Sequence, residues 1–422
     1  MQTYLMWRWP FGLFERCRAR NGTRFTLEVL GFPPLVFLSS RDDVKALLAA
    51  SPDALCAGRG SAVIEPIVGP SAFTLQEGEE HMSGRRTVVP LLRKDRVEQH
   101  AATVETITRR AMASWPQNTS FALHPSLRAL TLEVILRKIF TFSQAACDER
   151  LQALRDVLMK MLAVADSPVF PEPSLRHGPG RLLWRRFLRW REQADELVYG
   201  LIDDRKHAGA CTHEDLLSGL LGACDTAGRP MPAQQVRDEI MSLILAGHET
   251  TAAQLAWAFQ LLAHDPSACD RLVQEIERGE RDEYLTATVQ EVQRHRPVLV
   301  FTIPRAVDKA IAIGDWTYQP PAHLLGSIYL LHHDPDVYAD PFVFRPERFL
   351  EAAPQPHAWL PWGGGRRRCP GLHLATLEMR TVLRTVLSTM SVLPGARHVE
   401  RARWRSVVVM PHAGCRVVLS AR

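Results

Sequence analysis

Between Pro232 and His264 the chain reads PAQQVRDEIMSLILAGHETTAAQLAWAFQLLAH, one continuous helical pattern that is apolar on nearly all sides from Ile240 to Leu262. A helix with no polar stripe cannot lie on a protein surface; other elements must wrap it, or lipid must. His248 and Glu249 interrupt its middle, and nowhere does the chain hold about eighteen uncharged apolar residues in a row, so a membrane span is not expected. The helix therefore demands a large body built around it. With 422 residues, 46% of them apolar and 23% charged, the chain has the material for one.

The remaining patterns agree. From His81 to about Ala210 they are mostly helical. Near the start, Arg24 to Leu30 alternates with Phe25, Leu27 and Val29 on one face, and Leu35 to Ser40 follows a Gly–Phe–Pro–Pro break, which predicts a β-hairpin. Arg41 to Ala50 reads as a helix with acids in its first turn. Cys56 to Glu77, punctuated by Gly and Pro, reads as a long loop. A helix from Leu285 to His295 stops before Pro297. Short strands are expected at Val300–Ile303, Leu324–Leu330 and Ser406–Met410, the last pairing with Cys415–Leu419. The expected fold is mainly α with a small β region, a single domain over 1–422. Its β-rich part covers about 20–60 and 298–330 plus 400–422, and its helical body about 80–297 and 370–392.

A proline-rich stretch, Asp166 to Gly180, separates helices and leads into RLLWRRFLRWR, Arg181 to Arg191. That segment is a basic amphipathic helix. A solvated basic face over a buried Leu/Trp/Phe stripe explains it, with contact to a membrane surface as the alternative. The apolar start MQTYLMWRWPFGLF is broken by Arg8 and Pro10 and lacks a small-residue cleavage site, so it reads as neither signal peptide nor anchor. A net charge of +5 without a basic stripe in a known module argues against nucleic acid. Eight scattered cysteines with no CxxC pair point to a reduced, cytoplasmic protein, expected to be a monomer.

One cysteine stands apart. Leu360 to Gly371 reads LPWGGGRRRCPG, with three glycines, three arginines and a proline around Cys369. Glycine lets a backbone pass close to a flat object. Clustered amides lower a thiol's pKa, and arginines pair with carboxylates. An anionic sulfur holding the metal of an acid-bearing cofactor fits these neighbours, and heme with a thiolate ligand and two propionates is such a cofactor. A structural thiol is the alternative.

The spacing Trp362-x-x-Gly365-x-Arg367-x-Cys369-x-Gly371 resembles the heme-binding loop of the cytochrome P-450 monooxygenases, with Trp362 in the slot where that family carries Phe. The resemblance runs in order along the whole chain. Glu291-Val292-Gln293-Arg294 is similar to the family's ExxR pair, which shares one helix face, and Phe344 to Phe349, FRPERF, is similar to its PERF box. Together they imply a structural lock of Glu291, Arg294 and Arg348 behind the heme. His81 and Arg85, at i and i+4, match the family's heme-propionate positions, and Arg305 and Arg367 match two more; Arg86 and Arg366 are expected to face solvent or a partner. Ala246 to Thr251, AGHETT, resembles the oxygen-activating groove. There a Thr hydroxyl bonding a carbonyl one turn back opens a local bulge. The resemblance assigns proton relay to Glu249, as a general acid, and hydrogen bonding to the reacting oxygen to Thr250. His248 packs or relays.

The resemblance implies a heme-thiolate monooxygenase carrying heme b, iron protoporphyrin IX, and using O2 to hydroxylate or epoxidise an apolar small molecule. A terpene, fatty acyl chain, polyketide or other natural product of secondary metabolism fits. By resemblance the substrate pocket draws on Ile64, Ile67, Phe73, Leu245, Ala246, Val298, Phe301 and Val407, with the proline-rich stretch after Asp166. Neither a GxGxxG after a strand nor an iron–sulfur cysteine pattern is present. Electrons are therefore expected from a ferredoxin or flavodoxin with an NAD(P)H-dependent reductase, docking on those of Arg366, Arg367, Arg368 and Arg380 that are not bound to heme. Oxidative coupling, desaturation or ring closure without oxygen insertion is the alternative, and a non-catalytic heme sensor a further one.

Overall fold

Pro232 has no N–H to give a helix, and the central helix starts at the next residue and runs Ala233–His264. It is seen in a computed structural model that describes residues 1–141, 145–165, 180–207, 215–224, 228–279 and 281–422. At its end Asp265 turns the chain: its carboxylate accepts the Ala268 N–H at 3.0 Å and caps the next helix, Pro266–Arg278, which has proline at its first position.

The helix is walled as its sequence requires. From Val236 to Ala263 every residue is buried except Ala246, Gly247 and Thr250. His124–Ile139 packs along it, and Glu65–Val68, Arg181–His207, Glu283–His295 and Leu372–Leu387 close further sides. At Gly247 the wall comes very near: a Cβ there would stand 3.1 Å from Ile135 Cδ1. Trp257 and Phe259 are fully buried, and the Trp257 indole donates to Val409 O at 3.0 Å. Burial of each such side chain contributes about 1.5–3 kcal/mol.

The β region is small and scattered. A five-stranded sheet has the order Arg24–Leu27, Leu35–Leu38, His323–Gly326, Arg305–Val307, Leu55–Cys56. Its first pair is the expected hairpin, with Phe25 opposite Phe37. Leu35–Leu38 runs parallel to His323–Gly326, which requires the long crossover that the helical body supplies. A mainly helical chain with a small β region is what the sequence predicts and what is found.

Some local expectations are corrected. Ser406–Met410 does not pair with Cys415–Leu419. Val408–Pro411 instead folds back on Ala402–Arg405, and Arg416–Ala421 sits between Ser120–Ala122 and Met390–Pro394. The fold-back is local: Arg405 lies opposite Val408, and Ser406 turns with φ +51°. The Leu324–Leu330 strand ends at Gly326, because Ser327 accepts the Leu330 N–H and caps the helix Ile328–His332. Val300–Ile303 adds only an isolated bridge, Phe301 to Ser327. Cys56–Glu77 is not bare loop either; it holds the short helices Ala57–Gly60, Ala62–Ile64 and Glu65–Val68. Most of the proline-rich stretch, 166–179, lies outside the described residues.

The N-terminal segment folds onto the hairpin. Met6, Leu13 and Phe14 join Phe25 and Phe37 in one apolar cluster, and the Phe11 ring stacks on Tyr329 at 4.2 Å. Among the described residues no helix is long and apolar enough to cross a membrane.

Candidate active site

The Cys369 loop is held from both ends. Cys369 N–H donates back to Trp362 O at 2.9 Å, closing the loop, and Gly365 lies between them at φ +63°. A Cβ on Gly365 would meet Leu48 O at 2.7 Å, so glycine is needed both for the backbone conformation and for the close approach. Burial pushes the Cys369 thiol up; the Gly371 N–H and the charges of Arg85 and Arg368 pull it down without winning. A cation on the sulfur would tip that balance to thiolate.

Three guanidinium groups and one imidazole meet beside the loop. His81 and Arg85 rise from the helix Gly78–Leu91, and both reach the loop backbone: His81 Nε2 is 3.3 Å from Arg366 O, and Arg85 Nη1 donates to Arg368 O at 2.6 Å. His81 Nδ1 lies 2.8 Å from Phe73 O. Arg305 donates to Leu47 O at 2.6 Å, and Arg367 to Thr74 O at 3.0 Å. One carboxylate, Glu77, joins them, 2.8 Å from Arg367. Burial, helped by Arg367, lowers Arg305 to about 10, and burial lowers His81 and Arg367 too. Three guanidinium groups, buried or half-buried, with one carboxylate among them favour an anionic guest.

Behind the loop Glu291 is clasped twice. Arg294 meets it with two bonds, Nε to Oε2 at 2.7 Å and Nη2 to Oε1 at 2.8 Å, and Arg348 Nε stands 3.1 Å from Oε2. Glu291 and Arg294 are fully buried. Arg294 also donates to His332 O at 2.8 Å, and the His332 ring accepts the Leu360 N–H at 2.8 Å, at the first residue of the cysteine loop. His332 escapes sequence reasoning, since nothing near it in sequence marks a ring that bonds a backbone.

On the central helix, Ala246, Gly247 and Thr250 form an open face on an otherwise enclosed rod, and Thr250 Oγ1 donates to Ala246 O at 2.6 Å. Glu249 points elsewhere. Its carboxylate lies 2.5 Å from Arg128 Nε and 3.2 Å from His124 Nε2, both on the helix His124–Ile139. Burial pushes its pKa up, but the His124 contact and the Arg128 charge overcome this and bring it to about 2. His248, fully buried, is lowered to about 4 and so stays neutral. His124 in turn lines a cavity of about 220 Å³ shared with Arg403, Arg405, Met410 and His412. The pairing of Glu249 with His124 and Arg128 has no sequence signature, because its halves lie on different helices.

The family model for Cytochrome P450 matches residues 2–417. This chain belongs to the cytochrome P450 family. It is 33% identical over 429 residues to cytochrome P450 135B1 of Mycobacterium tuberculosis, covering 100% of this chain and 89% of that protein. To cytochrome P450 138 of Mycobacterium bovis it is 32% identical, covering 97% and 92%. Among solved structures, the retinoic acid-bound cyanobacterial CYP120A1 matches its fold with a TM-score of 0.83 at 22% identity, covering 97% of this chain and 94% of that one. As a P450 the chain is an oxidoreductase with heme as its cofactor. The residues present suit that group: a thiol in a glycine-lined loop, and beside it Arg85, Arg305 and Arg367 with the single carboxylate of Glu77 among them.

The candidate substrate residues do not all meet. Ile64, Ile67, Phe73 and Leu245 share one apolar cluster. Val298 and Val407 pack in another with Val408 and Met410. Phe301 belongs to a third, stacked on Trp404 at 5.4 Å and edge-on to Phe37 at 5.7 Å, a place in the hairpin core. The expected basic docking patch also shrinks. Arg367 turns inward to Glu77, and Arg380 pairs with Asp282, which leaves Arg366 and Arg368 exposed. Arg86 pairs with Glu79 at the surface.

Proposed function

We propose that this P450 inserts oxygen from O2 into an apolar small molecule, with electrons from a separate ferredoxin or flavodoxin served by an NAD(P)H-dependent reductase. The observation that carries it is the open face at Ala246, Gly247 and Thr250, in a helix otherwise buried from Val236 to Ala263. A cavity wall with one hydroxyl among small residues suits an apolar guest beside a site that handles protons. Heme, when bound, would supply the oxidising chemistry, held by the Cys369 sulfur with His81, Arg85, Arg305 and Arg367 toward its propionates.

The protein's share is positioning and protons. Thr250 holds a hydrogen bond at the open face; because its hydroxyl donates to Ala246 O, its lone pairs are left to accept a hydrogen bond there. Glu249, held near 2, does not store a proton at neutral pH. It is a carboxylate clasped by His124 and Arg128, and it relays solvent protons toward Thr250 only when it leaves that pair. His248 packs.

Two variants test this. Cys369→Ser in purified holoprotein removes the thiolate signature from the spectrum of the reduced CO complex; an unchanged spectrum refutes the ligand. Thr250→Ala raises the ratio of peroxide to product by about 10²-fold, the lower end of what a positioned proton-transfer group contributes. Unchanged coupling removes Thr250 from the proton path, and product without label from labelled O2 would favour coupling or desaturation.

A further inference from the structure

The N-terminal turns of the helix Arg181–His207 are unusual for a helix in this fold. Arg181, Leu182, Leu183, Arg185, Arg186, Leu188 and Arg189 are all exposed, Leu182 at 77%. Phe187 alone is buried within Arg181–Arg189. On a helix that turns about 100° per residue, Leu188, Arg181, Arg185, Arg189, Leu182 and Arg186 follow one another around an arc of about 160°, opposite Phe187 and Ala194. No acid occurs from Arg181 to Arg191, and among the described residues Arg181, Arg185, Arg186 and Arg189 form no ion pair. The solvated basic face expected from sequence is there, but the leucines are not under it. Leu182 and Leu188 stand out with the arginines, while Leu183, also exposed, lies toward the Ala194 side.

Physics makes such a face costly in water alone. Cations at a helix N-terminus oppose the helix dipole, four of them repel one another, and three leucines stay wet. An outside surface that is negative and apolar together removes all three costs. An anionic lipid bilayer is both: headgroup phosphates meet the arginines, and the boundary of the acyl region receives the leucines. An acidic protein would satisfy the charges and leave the leucines without purpose. Trp184 and Trp190, half-buried at the flanks, are the ring type that favours a membrane interface.

We infer that Arg181–Arg189 is a docking face for an anionic phospholipid membrane. The other side of the same turns carries Phe187, which joins Ile67, Phe73 and Leu245 in one apolar cluster. The face that meets lipid and the candidate substrate residues are therefore two sides of one packed unit, and an apolar substrate dissolved in the bilayer has a short way to travel.

The test is co-sedimentation of full-length holoprotein with vesicles, either pure phosphatidylcholine or with about one-third phosphatidylglycerol, at low salt. Wild-type protein is expected to partition at least ten-fold more strongly to the anionic vesicles. Replacing Arg181, Arg185, Arg186 and Arg189 by Gln, or Leu182 and Leu188 by Ser, each cuts that binding ten-fold or more, with the spectrum of the reduced CO complex unchanged. Equal partition of wild-type protein to both vesicle types, or to neither, overturns the inference and needs no variant. Full binding by the leucine variant also overturns it, because a purely electrostatic face would then be left, suited to an acidic protein.

Discussion

Arg294 uses all five of its N–H donors. Nε and Nη2 bond Glu291, Nη1 bonds the carbonyls of His332 and Pro341, and Nη2 also reaches Val343 O. A lysine would bring three donors and no plane, and would leave Glu291 half-served in a dry site. Arg294→Lys is therefore expected to lose about 3–5 kcal/mol, the range for breaking a buried pair. A urea midpoint that did not move would contradict the lock. Residues of this kind were legible in the sequence, because Glu291 and Arg294 sit three apart on one helix and Arg348 lies in a motif of its own. The partners of Glu249 were not. A clamp made by His124 and Arg128 looks, in sequence, like any pair of polar residues near a helix start.

At the scale of elements, the connection between the Glu291 helix and the cysteine loop passes through one imidazole. His332 offers its Nε2 lone pair to Leu360 N–H, which fixes the proton on Nδ1, and burial with Arg294 nearby lowers the ring to about 3. It stays a neutral acceptor at every pH the protein meets. His332→Phe leaves a buried N–H unpaired at about 1–3 kcal/mol. Faster hydrogen exchange from Leu360 to Cys369 is the expected readout, and His332→Gln, with a carbonyl oxygen at similar reach, restores protection. Equal exchange in wild type and Phe variant would remove His332 from the loop's support. Long elements with strong periodicity were readable from sequence here, the central helix within a residue at its start. Ala402–Arg405 was missed, because its Arg-rich sequence hides a strand whose pairing comes from the turn at Ser406.

For the whole molecule, acid is the weak direction. Burial holds His100 and His248 down to about 4, His332 to about 3, and His295 and His333 well below 6.5. Their folded pKa values lie below the unfolded one, so the unfolded chain binds protons first and stability falls as pH drops from 6.5 toward 4. At about pH 5 His100, His248 and His332 each give up about 2 kcal/mol, and His295 and His333 act in the same direction. Glu239, raised by burial to about 8, acts in the opposite sense and returns about 2–3 kcal/mol between about pH 7 and 5; Glu378, raised well above 4.5, acts with it. His100, His248 and His332 together outweigh Glu239 by about 3 kcal/mol, a large share of a domain's stability. Thermal midpoints at about pH 7 and 5 should differ by many degrees in favour of neutrality, and equal midpoints would count against the neutral histidines. The central rod, finally, is gripped all around and bare at a single window three residues wide. Turning it by one position would swing Thr250 into the wall and drive a leucine or a carboxylate into the opening. The window frame is thus fixed, and any adjustment to guests of different shape has to come from the loops that face it.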